Sequence, residues 1–266
     1  LRGANIYLDF PSVGATENLL MAAALADGVT RIENAAKEPE IVDLADFLNL
    51  AGAHIVGAGT GTLVIEGVSR LSGVEYTPIA DRIEAGTMAC ACAITGGELL
   101  LSGARAEHLR SLLFKLSEAG IHIKDTPGGL MVFGRAKQPF EIRTMVYPGF
   151  PTDLQQPMSA MLTCAAGDSL VIETIFENRF KHLVEMQRMG AKVRIVEQTA
   201  IIEGVDALYG APVTATDLRA GAALVIAGLM AQGTTEIYNT HFIDRGYEHL
   251  EEKLNSLGAK ISRTRE

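Results

Sequence analysis

The sequence predicts an α/β fold in which buried helices lie inside and sheets wrap outside, built from repeats of about 70 residues. Three observations lead there. Gly52-Ala53-His54-Ile55, Gly120-Ile121-His122-Ile123, Gly190-Ala191-Lys192-Val193 and Gly258-Ala259-Lys260-Ile261 repeat one pattern, with glycines 68, 70 and 68 residues apart. Each glycine closes an amphipathic helix and opens an alternating apolar run, the signature of a helix C-cap followed by a strand. A second helix in each repeat, over Glu17–Ala26, Glu84–Ile94, Leu154–Ala165 and Leu218–Ala231, is apolar and alanine-rich almost all round, as suits a helix with no solvent face.

The elements follow in order. The repeats start near Gly3, Tyr76, Phe140 and Ala211, each with an entry strand and a turn into its buried helix. Gly28, Gly97, Gly167 and Gly233 then lead into strands over Val29–Ile32, Glu98–Ser102, Ser169–Glu173 and Thr234–Tyr238. Amphipathic helices follow over Ile41–Leu50, Ala106–Ala119, Phe180–Met189 and Gly246–Leu257. Returning strands are expected at Gly61–Gly67, Gly129–Gly134 and Thr199–Gly204. The fourth repeat is expected to stop after one strand, Lys260–Ser262, leaving an open sheet edge that a segment upstream of Leu1 completes or that drives self-association.

Composition excludes several classes. Of 266 residues 48% are apolar and 21% charged, with a net charge of −9, so the chain reads as an ordinary globular protein with no basic patch for nucleic acid. The longest apolar run, Ala220–Ala231, is too short to cross a bilayer. Cys90, Cys92 and Cys164 sit in apolar helical runs without metal-ligand spacing, which reads as core thiols in a reducing cytoplasm. No Gly-rich dinucleotide or P-loop motif is present, and no cofactor or metal is expected.

Chemistry is expected at the turns ahead of the buried helices, where free N–H groups and positive dipole ends favour phosphate or carboxylate. Asp153 enters the third of these helices, as a cap or as a reactive carboxylate. Arg82 and Arg219 stand in the first turn of theirs, against the dipole; each binds an anion or pairs with its neighbour, Asp81 or Asp217. Arg179 and Arg245 are expected just before helices, each with a carboxylate close enough for a forked pair, and spacing alone reads each equally as an anion clamp or an interdomain ion pair. His108, His182 and His249 are read as solvated helix positions, with no catalytic histidine among the six.

Taken together, Phe150-Pro151-Thr152-Asp153-Leu154-Gln155, Glu173-Thr174-Ile175-Phe176-Glu177-Asn178-Arg179-Phe180, Ala215-Thr216-Asp217-Leu218-Arg219-Ala220 and Asp244-Arg245-Gly246-Tyr247-Glu248 resemble the UDP-N-acetylglucosamine enolpyruvyltransferase (1-carboxyvinyltransferase) family, over essentially the whole chain. Ser12-Val13-Gly14-Ala15-Thr16 and Asp81-Arg82-Ile83-Glu84 add to the likeness. The resemblance implies an inside-out α/β barrel and transfer of enolpyruvyl from phosphoenolpyruvate to the 3-hydroxyl of UDP-N-acetylglucosamine, the first committed step of peptidoglycan synthesis. The runners-up are the shikimate-3-phosphate enolpyruvyltransferase and a non-catalytic ligand-binding fragment. It also implies that residues 1–77 are the last repeat of a sugar-nucleotide domain and residues 78–266 about three repeats of a catalytic domain. The family's N-terminal part, with its loop cysteine, phosphate-binding lysine and uridine-side arginine, has no counterpart here, so this chain by itself is expected to be inactive. By the resemblance, Asp153 is the base on the sugar hydroxyl, and Ile175 contacts the sugar nucleotide through its backbone. Ser12, Val13 and Gly14 lie near the uridine diphosphate, and Arg219 and Arg245 bind phosphoenolpyruvate with Arg179 nearby. Phe10 stands where many members have lysine, and Tyr147 where many have histidine.

Overall fold

The computed structural model of the chain describes residues 1–264. Two units divide it, Leu1–Ala80 with Val146–Gly149, and Asp81–Met145 with the residues from Phe150 onward.

The first unit is one complete repeat: β1 (Asn5–Tyr7), α1 (Val13–Ala23), β2 (Val29–Glu33), α2 (Pro39–Leu50), β3 (His54–Val56) and β4 (Thr62–Glu66). The crossover through α1 lets β1 and β2 pair in parallel, while β4 runs antiparallel between β2 and β3, giving the order β1-β2-β4-β3. Strand alternation sends Ile32, Leu63 and Ile65 inward against Leu20 and Ile41, all fully buried.

The second unit holds three repeats. The first of them comprises α3 (Arg82–Thr95), β5 (Glu98–Ser102), α4 (Arg110–Glu118), β6 (His122–Thr126) and β7 (Gly129–Phe133), with sheet order β5-β7-β6. The expected entry strand near Tyr76 is not formed. Instead the Tyr76 hydroxyl donates to the Asp43 carboxylate at 2.7 Å, fastening this stretch to α2. The helix expected over Ala106–Ala119 is likewise split, a 3-10 turn at Ala106–His108 preceding α4.

The next repeat comprises β8 (Glu141–Arg143), α5 (Gln155–Leu162), β9 (Asp168–Ile172), α6 (Lys181–Arg188), β10 (Lys192–Val196) and β11 (Thr199–Glu203). Its order, β8-β9-β11-β10, reproduces that of the first unit strand for strand. The last repeat has β12 (Leu208–Tyr209), β13 (Pro212–Thr214), α7 (Leu218–Met230), β14 (Ala231–Gln232), β15 (Glu236–Tyr238) and α8 (Leu250–Ser256), with β12-β14 and β13-β15 as parallel pairs. A 3-10 turn over Thr240–Arg245 occupies the run-up to α8, so that helix starts later than the Gly246 expected for it.

The four repeat glycines all take left-handed φ angles, 104°, 88°, 90° and 100° at Gly52, Gly120, Gly190 and Gly258, a region that side chains with a Cβ avoid. Three residues before two of them stands an asparagine that grips the chain beyond the turn. Asn49 donates to the Ile55 carbonyl and accepts from its N–H at 2.9 and 2.8 Å, and Asn255 does the same to Ile261 at 2.7 and 2.8 Å. The strand expected at Lys260–Ser262 is absent for a simple reason: a ladder needs a neighbouring strand, and among the described residues none pairs with it.

Helices α3, α5 and α7 pack against one another, and every residue of α5 is buried. With the sheets β5-β7-β6 and β8-β9-β11-β10 of the same unit outside them, this is the inside-out arrangement the alanine-rich runs of that unit predict. Close approach is bought with glycine. A Cβ on Gly86 would lie 2.6 and 2.7 Å from the Leu154 methyls and 2.9 Å from Leu112, and one on Gly221 would lie 2.5 Å from Ile243. Gly228, by contrast, would meet Thr235 at an ordinary 3.6 Å. Gly86→Ala is therefore expected to destabilise the protein by about 1–3 kcal/mol through overpacking, overriding the helix-propensity gain of roughly 1 kcal/mol. Gly228→Ala should instead be neutral or stabilising. Urea unfolding of both variants checks this, and equal shifts would disprove the packing argument.

Candidate active site

The site in the second unit is built where three buried helices begin. Asp81 caps α3, accepting from the Ile83 and Glu84 N–H groups at 2.7 and 3.1 Å. Asp217 caps α7 through the N–H groups of Arg219 and Ala220 at 3.0 and 2.9 Å. Asp153 is different. It sits in a 3-10 turn, Thr152–Leu154, ahead of α5, and caps nothing. One of its oxygens accepts from Arg179 Nη2 at 2.7 Å, and the other accepts from Arg219 Nε and Nη2 at 3.2 and 3.1 Å.

This three-residue cluster is half sheltered: the Asp153 side chain is 37% exposed, those of Arg179 and Arg219 only 16% and 13%. Burial pushes the Asp153 carboxyl up, but the Arg219 and Arg179 guanidiniums outweigh it and hold the group below the ordinary aspartate value. Asp153 is thus ionised at neutral pH with both oxygens engaged by guanidiniums. Arg219 Nη1 is buried without a hydrogen-bond partner, a spare donor beside the pair.

Two further groups stiffen the cluster. Glu173, 1% exposed, accepts from the hydroxyls of Thr144 and Thr152 and from the N–H of Ile175, each at 2.8 Å, and from the N–H of Phe176 at 3.1 Å. It thereby ties the turn carrying Asp153 to the loop carrying Arg179, whose Nη1 also donates to Thr152. Gln156 Nε2 reaches both the Arg179 carbonyl and the Asp217 carboxylate at 3.4 Å.

Of the residues singled out from sequence, Asp153, Arg179 and Arg219 come together. Ile175 is half-buried beside them, its N–H spent on Glu173. Arg82 heads α3. Arg245 ends the 3-10 turn over Thr240–Arg245 and is exposed. Of the two carboxylates in its motif, Asp244 and Glu248, Asp244 makes a forked pair with Arg263 instead, two bonds of 2.8 Å. Arg219 does not pair with Asp217, whose oxygens serve the helix cap, Thr216 and Gln156. In the first unit, Ser12 caps α1 by accepting from Ala15 N–H at 3.3 Å, with Val13 and Gly14 in the first turn. Nothing lies within 4 Å of where a Gly14 Cβ would be.

Glu173, Thr152, Gln156 and Tyr247 escape sequence reasoning, since their partners lie on other segments. His182, a polar residue that the sequence places on a solvated helix face, is fully buried, neither ring nitrogen finding a partner. It shares the inward stripe of α6 with Leu183 and Met186.

A family model for EPSP synthase (3-phosphoshikimate 1-carboxyvinyltransferase) matches residues 1–254. The chain is 59% identical over 264 residues to UDP-N-acetylglucosamine 1-carboxyvinyltransferase 1 of Caldanaerobacter subterraneus subsp. tengcongensis, covering 99% of this chain and 64% of that protein. It is 57% identical over 266 residues to UDP-N-acetylglucosamine 1-carboxyvinyltransferase 2 of Carboxydothermus hydrogenoformans, with the same coverage. The chain thus spans about 64% of the length of these relatives. Among solved structures, the enolpyruvyl transferase NikO from Streptomyces tendae superposes with a TM-score of 0.87 at 26% identity, over 99% of this chain and 66% of that one. EPSP synthase from Acinetobacter baumannii shares the fold, with a TM-score of 0.74 at 19% identity over 99% and 64%.

Burial holds His182 neutral, its pKa pushed down to about 3. The unfolded chain takes up a proton near pH 6.5 that the folded chain refuses, so stability conferred by this group is full above pH 6.5 and is lost as pH falls towards 3. Between pH 6 and 4.5 the slope from His182 alone is up to about 1.4 kcal/mol per pH unit. Denaturant titrations across that window should be distinctly flatter for His182→Leu; parallel curves would show that His182 does not govern this acid sensitivity.

Proposed function

Because the chain belongs to the EPSP synthase (3-phosphoshikimate 1-carboxyvinyltransferase) family, we propose that its protein transfers the enolpyruvyl group of phosphoenolpyruvate to the 3-hydroxyl of UDP-N-acetylglucosamine, releasing phosphate, as a cytoplasmic enzyme of peptidoglycan synthesis. The observation that carries this reading is Asp153 held between Arg179 and Arg219 at the mouth of the buried helices. The relatives named for the sugar nucleotide, at 55–59% identity, favour it over the shikimate phosphate.

The chemistry asks for a base on the attacking hydroxyl, a proton for the methylene carbon, and cations for phosphate and carboxylate. Arg219, Arg179 and the exposed Arg245 supply the cations. An incoming anion competes with Asp153 for the same N–H groups, and the carboxylate oxygen it releases accepts the proton of the sugar hydroxyl. The hydroxyl oxygen bonds to the central enol carbon while the methylene takes a proton; phosphate then leaves as the methyl group returns a proton and the double bond re-forms. Ile175 meets the sugar nucleotide through its backbone, and Ser12, Val13 and Gly14 meet its diphosphate at the positive end of α1. Arg82 adds charge at the start of α3. Residues 1–77 serve the sugar nucleotide, and residues 78–266 the transfer.

In a chain of the relatives' full length, Asp153→Ala should lower phosphate release at saturating substrates by about 10²–10⁴-fold, the usual contribution of a positioned acid or base. Turnover within a few-fold of the parent would reduce Asp153 to an ion-pair partner. Arg219→Lys and Arg245→Lys should leave the fold intact and raise the KM for phosphoenolpyruvate, because an ammonium cannot reproduce the guanidinium fork. Unchanged KM in both would remove the anion-binding role.

A further inference from the structure

We propose that Tyr247 is the positioning residue that aims Arg219, acting through a directed hydrogen-bond chain into α3. The inference rests on the enolpyruvyl-transfer reading for its kinetic consequence and on geometry alone for its structural one.

Tyr247 is 1% exposed and, among the described residues, the largest fully buried side chain; it belongs to the hydrophobic cluster of the second unit, yet its hydroxyl and ring face have polar partners. Its ring centroid is 5.2 Å from the Arg219 guanidinium carbon. Its hydroxyl is 2.8 Å from Thr87 Oγ1 in α3. The direction of that bond follows from the next one: the single Thr87 hydroxyl proton is donated to the Ile83 carbonyl at 2.8 Å, so Tyr247 must be the donor to Thr87. The phenol proton is thus spent on α3, which fixes the ring, and Arg219 is the cation packed over that ring. The backbone holds Tyr247 in place. Its N–H donates to the Ile243 carbonyl at 3.0 Å, and Ile243 is the side chain that needs glycine at position 221 of α7.

The guanidinium is therefore held on two sides, by Asp153 at its Nε and Nη2 and by the Tyr247 ring, with Nη1 left unbonded. A long side chain with many rotamers is thereby reduced to one pose. Helices α3 and α7 and the 3-10 turn ahead of α5 all contribute to that pose.

The test has two arms. In a chain of the relatives' full length, Tyr247→Phe and Thr87→Val should each raise the KM for phosphoenolpyruvate about fivefold, the usual worth of one hydrogen bond, with the KM for UDP-N-acetylglucosamine unmoved. The double variant should be no worse than either single one, and Thr87→Ser should behave as the parent. The second arm needs no substrate. In ¹³C-carboxyl titrations, the Asp153 midpoint should rise in Tyr247→Leu, because Arg219 is no longer held against it, while Tyr247→Phe moves it less. Additive effects in the double variant, or both KM values rising together, would overturn the proposal; so would an Asp153 midpoint that stays put in Tyr247→Leu. A parent with no enolpyruvyl transfer would count against the proposed function alone, and the carboxyl titration would still decide on Tyr247.

Discussion

Burying helix against helix inside the sheets is the constraint on which the rest of the second unit depends. Three inner helices can share one interior only if their side chains are small, hence the runs of alanine and the glycines at 86 and 221, where backbone meets Leu154 and Ile243. The tight packing brings the beginnings of α5 and α7 within reach of one ion-pair cluster, and Thr87 of α3 within reach of Tyr247. Positive helix ends placed together repel one another. Carboxylates answer that repulsion: Asp81 and Asp217 as caps, and Asp153 as the shared partner of two arginines.

The cluster has a consistent electrostatic logic. Asp153 is ionised but occupied, and Arg219 is charged but has a buried donor to spare. Such a site is poised for anions, because an arriving phosphate or carboxylate meets guanidiniums already ordered and already stripped of most of their water. Glu173 adds rigidity at the level of the backbone, drawing Thr144, Thr152 and the 175–176 peptide units onto one carboxylate.

Much of the fold was legible in the sequence, since its signals are local. A left-handed φ admits few residues other than glycine, so the period of Gly52, Gly120, Gly190 and Gly258 could be read directly. The all-round apolar runs of α3, α5 and α7 announced their burial, but the one over Glu17–Ala26 did not keep the promise: α1 buries only Thr16, Leu20 and Ala23 and leaves Met21 exposed. What failed was whatever depended on a partner elsewhere in the chain. Lys260–Ser262 alternates like a strand but finds no ladder, and the run near Tyr76 is claimed by Asp43. Asp153 was legible as a conspicuous carboxylate, but not as the partner of residues 26 and 66 positions away. The motif of Arg245 offered a carboxylate close by, but Asp244 is taken by Arg263, 19 positions away. His182 was judged by its polarity, whereas its helix face decided its burial.

The paired grip of Asn255 on Ile261 carries a chemical consequence. By accepting from the N–H and donating to the carbonyl of one residue, the carboxamide does for that peptide unit what the facing residue of an antiparallel strand does. Only a group that both gives and takes a hydrogen bond on a planar frame can act as this surrogate strand, so aspartate, of the same shape, supplies half the function and leucine, of similar volume, none. The same grip at Asn49, where β3 does have a neighbour in β4, shows that it works alongside a ladder as readily as without one.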